Sequence, residues 1–260
     1  MEYLAYFAKL LILVCLVSEA IQGTIGIDIA PRIVGGRTAA SGQFPYQVSV
    51  RVGGKHTCGG TIISEDFVVT AAHCVYSVAP AYLTILAGTT NRTADRVIKD
   101  VVKVIPHPNI TANFDNDIAL LKLNASLQLS DLIQPITLAA LEAPVGSQIT
   151  ISGWGRTNEG DPLSSQLLYN KFVTTISDAD CTRAIGYDTS KSGILCLSRG
   201  YGNGICDGDE GGPAVYRGTL IGIASFQIGY CGSGVADGYS KVKFFRDWLI
   251  ENSATDTVPV

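Results

Sequence analysis

Cys206-Asp207-Gly208-Asp209-Glu210-Gly211-Gly212-Pro213 is the stretch on which the reading of this 260-residue chain turns. Its glycines let a backbone bend sharply and aim successive amide N–H groups at one point. Loops of that form present a hydroxyl or thiol to an acyl group. At the place for that side chain stands Glu210. The frame of a nucleophile site is present and the nucleophile is missing.

The rest of the chain sets the bounds. Hydrophobic residues make up 47% and charged residues 16%, which excludes a disordered chain. Twenty-eight glycines and a single methionine suit a turn-rich β protein better than a helical bundle. A net charge of −4 argues against a nucleic-acid partner, which would call for a basic face. Beyond the N-terminus no apolar run is long enough to span a membrane. The first 20 residues hold the apolar run Leu10–Val17 and then Ser18-Glu19-Ala20, with Lys9 as the only preceding base. That pattern is expected to be a signal peptide, residues 1–20, and the chain to be secreted; a buried core strand is the plainer alternative. Cys15 leaves with it, and the six remaining cysteines are even in number, as a disulfide framework requires. Six cysteines allow 15 pairings, so spacing does not choose. Asn91, Asn109 and Asn124 open N-x-S/T sequons, which suit a secreted glycoprotein.

Residues 21–32 read as a propeptide ending at Arg32, before Ile33-Val34-Gly35-Gly36. Cutting there would free an ammonium at Ile33; a loop leading into a strand is the alternative. Short strands separated by turn signals follow, at the spacing of sandwiches and barrels. They are expected at Tyr46–Val52, Gly60–Ile63, Phe67–Thr70, Ile118–Leu123, Gln148–Ser152, Lys171–Thr175, Ala214–Tyr216 and Leu220–Phe226. Pro135 through Pro144 reads as the connection between two halves of similar length. One helix is expected, over Lys243–Asn252, with Phe244, Phe245, Trp248 and Leu249 as its packed face.

Three histidines exist: His56, His73 and His107. His73 stands where a strand, Phe67–Thr70, runs through two alanines into Cys74. Asp117 opens the apolar run Ile118–Leu123. A carboxylate at the mouth of a hydrophobic strand needs a partner, because an unpaired buried charge is costly. An imidazole Nδ1–H meets that need and fixes the tautomer required at Nε2.

The blocks Arg32-Ile-Val-Gly-Gly36, Cys58-Gly-Gly60, Thr70-Ala-Ala-His-Cys74, Asn116-Asp-Ile-Ala-Leu120, Ser152-Gly-Trp-Gly155 and Gly208-Asp-Glu-Gly-Gly-Pro213 occur in one order over more than 200 residues. Through them the chain from Ile33 to about Asn252 resembles the trypsin/chymotrypsin family of serine proteases, with an arthropod digestive flavour that includes mite trypsin-like proteins. The resemblance implies an all-β fold of two six-stranded antiparallel barrels with a C-terminal helix. The first barrel would span about residues 33–140 and the second, with the helix, about 141–252, inside a peptidase domain running 33–260. It implies the pairings Cys58–Cys74, Cys181–Cys196 and Cys206–Cys231. It also makes His73 the general base, Asp117 the acid that orients it, and Ser225 the hydroxyl behind that acid. Gly208 and Glu210 would supply the oxyanion-hole N–H groups. Asp209 would pair with the freed Ile33 ammonium after a trypsin-like protease cuts at Arg32.

At Glu210 the chain departs from the family pattern, in which a serine stands. A carboxylate has no proton for His73 to remove, and its attack on an amide would give a high-energy mixed anhydride. Glu210 is expected to form an ion pair with His73, holding the imidazole protonated, and also to place an oxygen in or near the oxyanion hole. Removing the nucleophile of a related protease lowers kcat by about 2 × 10⁶, equivalent to roughly 8–9 kcal/mol of barrier. Glycosidase-like pairing of Glu210 with Asp209 conflicts with the implied burial of Asp209 against Ile33. A metal site from His73, Asp117 and Glu210 conflicts with Asp117 being held at Nδ1, so no metal and no cofactor are expected.

The specificity pocket departs as well. Its base, Gly202-Asn203-Gly204-Ile205, carries no acid, and its wall, beside Ser225, aligns with Gln227 and Asp237. Those side chains are expected to plug the slot; the alternative is a displaced negative charge at Asp237 for a basic ligand. Phe226 takes the place of a family tryptophan. His107 reads as a surface-loop residue, His56 as packing or hydrogen-bonding near the Cys58 disulfide, and Tyr230 as packing against the Cys231 disulfide, with the cleft rim as its alternative place. The expectation is a secreted, monomeric protease homologue that has lost catalysis. It would bind protein partners of a protease cascade or of host defence such as complement, as a decoy or regulator. The alternative is an active serine-type endopeptidase with an atypical site and a digestive role.

Overall fold

The computed structural model describes residues 33–94, 96–189 and 192–254. The expected signal segment with Cys15 and the propeptide with Arg32 lie outside the described residues.

Six strands close the first barrel: β2 (Gln47–Val52), β3 (Lys55–Ile62), β4 (Phe67–Thr70), β5 (Leu83–Ala87), β6 (Val97–Pro106) and β7 (Ala119–Leu123). Their order around the ring is β2-β3-β4-β7-β6-β5. Successive side chains of a strand point to opposite faces. Val68 of β4 and Leu121 of β7 therefore fill the barrel with Val48, Val50, Ile62 and Ile85. Their neighbours Phe67, Val69 and Leu120 face outward and meet Leu220, Ile223, Phe245 and Leu249. A strand buried on both faces reads as a continuous apolar run, which is how β4 and β7 appear in the sequence.

The second barrel is built from β9 (Gln148–Gly153), β10 (Leu168–Thr175), β11 (Ile194–Arg199), β12 (Pro213–Tyr216), β13 (Thr219–Gln227) and β14 (Asp237–Lys241). The path β10-β11-β14-β13-β12-β9 is closed by pairing of β9 with β10. Two short strands join it: β1 (Arg37–Thr38) pairs with β10, and β8 (Thr137–Leu138) runs parallel to β13. Ile33 belongs to this barrel's core with Ile149, Leu168 and Tyr239. From Ile33 the described chain thus begins on the second barrel, builds the first, and returns. Both barrels and the closing helix are as the resemblance implied.

Strands β5, β6, β11 and β14 escaped the sequence reading. In β6 the register shifts between Val101 and Lys103, which breaks the period-two pattern. β11 carries Cys196 and Arg199, and β14 carries Asp237 and Gly238, so neither looks apolar. The helix α1 (Asp178–Ile185) was also missed, although its ends are marked. Ser177 Oγ accepts from the Asp180 N–H, and Gly186 closes the helix at φ 91°.

The closing helix α2 spans Val242–Ala254. Phe245 and Leu249 are buried, whereas Phe244 is 53% exposed, so the expected four-residue face is narrower than its spacing suggested. His107 is no bare loop residue: its ring lies 5.3 Å from Phe245 and 5.1 Å from Trp248. The three disulfides are Cys58–Cys74, Cys181–Cys196 and Cys206–Cys231, one set of the 15 that counting allows. No helix of the described residues is long and apolar enough to cross a membrane.

The burial difference in α2 is testable. Phe245→Ala removes a ring from the seam between the barrels and should cost about 3–5 kcal/mol in urea unfolding, whereas Phe244→Ala should cost less than about 1 kcal/mol. Equal losses would contradict this placement of the helix.

Candidate active site

The site forms where the two barrels meet. His73 sits in a single 3-10 turn, Ala72–Cys74, that ends β4, and the Cys58–Cys74 disulfide ties this turn to β3. Asp117 stands just ahead of β7 and is fully buried. Its Oδ1 accepts from the His73 backbone N–H at 2.8 Å, and its Oδ2 lies 2.7 Å from His73 Nδ1. Ser225 Oγ donates to the same Oδ2 at 2.5 Å. A second hydroxyl, Ser240 Oγ, donates to the Asp117 carbonyl at 2.7 Å. Three donors on one buried carboxylate stabilise its charge and hold the imidazole with Nδ1 protonated. His73, Asp117 and Ser225 are thus assembled as expected.

The loop 206–213 is held by main-chain bonds to both barrels. Gly59 N–H donates to the Glu210 carbonyl at 2.7 Å, and Gly211 N–H donates to the Ala224 carbonyl at 2.7 Å. Gly208, at φ 93°, takes a left-handed conformation that a side chain would strain. Its carbonyl accepts from His56 Nε2 at 2.9 Å, while Ser49 Oγ lies 2.8 Å from His56 Nδ1. A carbonyl only accepts, so Nε2 carries the proton and Nδ1 accepts from Ser49. His56 therefore anchors the loop to the first barrel by a hydrogen bond.

Glu210 does not reach His73 as an ion pair. Its Oε2 instead accepts from the Gly208 N–H at 2.7 Å. That N–H is half of the expected oxyanion hole, so the second of the two sequence expectations is the one that holds. Burial raises the Glu210 carboxyl above its usual range, against the lowering effect of backbone N–H groups, its own and that of Gly208. For His73, burial works downward, but the hydrogen bond and charge of Asp117, followed by the charge of Glu210, carry it above 6.5. The Glu210 carboxylate thus biases the imidazole toward its protonated form across space without bonding to it.

Asp209 is buried and accepts from Gly155 N–H at 2.7 Å and Cys206 N–H at 3.1 Å. Burial pushes its carboxyl well above the usual range, and among the described residues no side-chain cation reaches it. Ile33, its expected partner, is itself fully buried.

The pocket residues come together with one that sequence reading missed. Gly204, Asp237 and Arg199 meet below the loop, and Arg199 and Asp237 have no exposed side-chain surface. Gln227 is half-buried opposite Asp237 across β13 and β14. Asp237 is thus paired with Arg199, and Gln227 stands beside it on the neighbouring strand. The signal was present in β11: Leu197 points inward, so Arg199, two residues on, must do so too. Above the pocket Phe226 stacks on Phe114 at 5.5 Å, and Phe114 meets the His73 ring edge-on at 5.5 Å. Tyr230 is half exposed, its hydroxyl 2.6 Å from that of Tyr201. Cys58 and Cys74 gather with His73 in ligand-like proximity, but both sulfurs are committed to their disulfide. Asn109 and Asn124 are exposed; Asn91 is half-buried, with its Oδ1 bonded by Thr93 Oγ1.

Two barrels with a His–Asp pair and an amide-lined loop in the cleft define the class: a chymotrypsin-type peptidase scaffold. The trypsin family model matches residues 33–249, and the chain belongs to that family. It is 44% identical over 221 residues to serine protease SP24D of Anopheles gambiae, covering 84% of this chain and 80% of that protein. It is 34% identical to trypsin alpha of Drosophila erecta, covering 94% and 98%, and 35% identical to trypsin delta of Drosophila melanogaster, covering 94% and 99%.

His56 makes the loop sensitive to acid. Burial above all lowers its pKa to about 4, against 6.5 for the free side chain. Between those values the unfolded chain holds the extra proton. The stability tied to His56 is then complete above pH 6.5 and lost as pH falls toward 4. The full effect is at most about 3 kcal/mol. His56→Gln keeps a donor for Gly208 but does not titrate, so its melting temperature should fall less between pH 6.5 and 4. Parallel acid limbs for the two proteins would refute the assignment.

Proposed function

We propose that this chain is a proteolytically inactive member of the trypsin family that acts by binding. The observation that carries the reading is the Glu210 carboxylate seated on the Gly208 N–H. A developing oxyanion would need that donor, and a fixed negative charge already holds it. No hydroxyl stands at the loop's centre for His73 to deprotonate. The retained His73–Asp117–Ser225 set then serves architecture, since three buried donors and a carboxylate satisfy one another whether or not a nucleophile is near. The proposed partners are proteins of a protease cascade or of host defence, met outside the cell. Three disulfides suit an oxidising compartment. An arthropod digestive setting, of the kind the mite resemblance suggested, is part of this proposal.

The names of the relatives, serine protease and trypsin, favour the other reading, an active endopeptidase. A peptide library incubated with protein cut after Arg32 separates the two. We expect turnover at least about 10⁵-fold below that of an ordinary family enzyme. In Glu210→Ser the library should show how much chemistry the remaining frame supports. Wild-type turnover at ordinary protease rates would sink the proposal.

Cleavage after Arg32 is also proposed to matter for the loop. The freed Ile33 ammonium would supply the cation that buried Asp209 lacks, and so lower its carboxyl pKa. Cut protein should melt higher and exchange its 206–213 amides more slowly than uncut protein. Identical melting and exchange would show that this coupling is absent.

A further inference from the structure

Arg199 ends β11 with its whole side chain inside the second barrel's wall. Its Nη1 lies 2.8 Å from Asp237 Oδ1, an ion-pair contact off the N–H axis. The other contacts are main-chain and hydroxyl acceptors. Nε donates to the Val235 carbonyl at 2.5 Å, and Nη2 donates to the Ile228 carbonyl at 3.1 Å and to Ser233 Oγ at 3.0 Å. Nη1 also faces the Ile205 carbonyl at 3.5 Å. Asp237 Oδ2 is held by the Ile205 N–H at 3.0 Å. Acceptors from two separate segments, Ile205 and residues 228–235, thus converge on one planar cation, with a buried carboxylate at its end.

The position makes this more than a buried ion pair. Ile205 precedes Cys206 at the start of the loop that carries Glu210, and Ile228, Ser233 and Val235 lie around Cys231, its disulfide partner. Gly204, at φ 124°, faces the pair: a Cβ there would stand 2.2 Å from Arg199 Cδ and 2.5 Å from Asp237 Oδ2. An acid at residue 204 is therefore sterically incompatible with Arg199 in this place. The carboxylate at this place is Asp237, and the chain's own guanidinium covers it. The Tyr239 hydroxyl, buried with no hydrogen-bond partner among the described residues, is a further polar group of this wall.

We infer that the specificity pocket is a guanidinium-binding site which the chain fills with its own Arg199, closing it to any side chain a partner offers. The pocket would accept amidinium or guanidinium groups only when that side chain is gone. Partners must then bind the rim and the open cleft without inserting an anchoring residue. The inference rests on the pocket alone and stands whether or not Glu210 blocks catalysis, so its test reads binding and not turnover.

Benzamidine, a planar amidinium, is the probe, titrated by calorimetry into the full chain. Wild-type protein should bind it more weakly than about 10 mM, and Arg199→Ala at least about tenfold more tightly. Adding Asp237→Asn to Arg199→Ala should abolish the gain. Because Arg199→Ala strips a buried carboxylate of its partner, that variant is expected to melt lower, and benzamidine should raise its melting temperature where equal sodium chloride does not. Arg199→Gln, which keeps polar contacts to the 228–235 segment, is the second variant and should likewise bind the probe. Tight benzamidine binding by the wild type would overturn the inference. So would folded Arg199→Ala and Arg199→Gln that both ignore the probe. Failure of both to fold even with benzamidine present counts equally against it, since an emptied guanidinium site should be refilled.

Discussion

The constraint on which this molecule depends is the fastening of one loop between two barrels. Gly59 of the first barrel donates to the Glu210 carbonyl, His56 to the Gly208 carbonyl, and Gly211 to Ala224 of the second barrel. Each of the three acceptors is a main-chain carbonyl, and each must be paired or its desolvation cost goes unmet. None of the three uses the side chain at position 210. The loop therefore keeps its shape whichever residue stands there, and a substitution at its centre changes the chemistry before it changes the fold.

The same constraint explains where the Glu210 carboxylate goes. A buried charge seeks donors within reach. His73 has already committed Nδ1 to Asp117, and its charge state depends on pH. The Gly208 N–H is held rigidly, two residues upstream, by the turn that Gly208 permits. A fixed amide donor at 2.7 Å is the available partner, and the carboxylate takes it.

Three fully buried carboxylates show a gradient of satisfaction. Asp117 has two N–H groups and a hydroxyl. Asp237 has a guanidinium and one N–H, yet burial, its largest influence, still lifts its pKa to about 7. Asp209 has two N–H groups and no cation among the described residues. The least satisfied of the three, Asp209, belongs to the loop itself, between Gly208 and Glu210.

Much of this was legible in the chain itself. The barrels, the disulfide set implied by the resemblance, the His73–Asp117–Ser225 constellation and the displacement of serine by Glu210 all follow from short motifs whose residues act locally or in one fixed spatial order. Strands buried on both faces announced themselves as apolar runs, while β6, interrupted by a register shift, and β14, begun by Asp237 and Gly238, did not. What only the tertiary structure decided is which polar groups meet across the sequence. Glu210 turning to Gly208 rather than to His73, His56 reaching 152 residues ahead to hold a carbonyl, and Arg199 closing on Asp237 across β11 and β14 are such choices. Each is set by competition among buried donors and acceptors, which depends on distances in space that residue order does not encode.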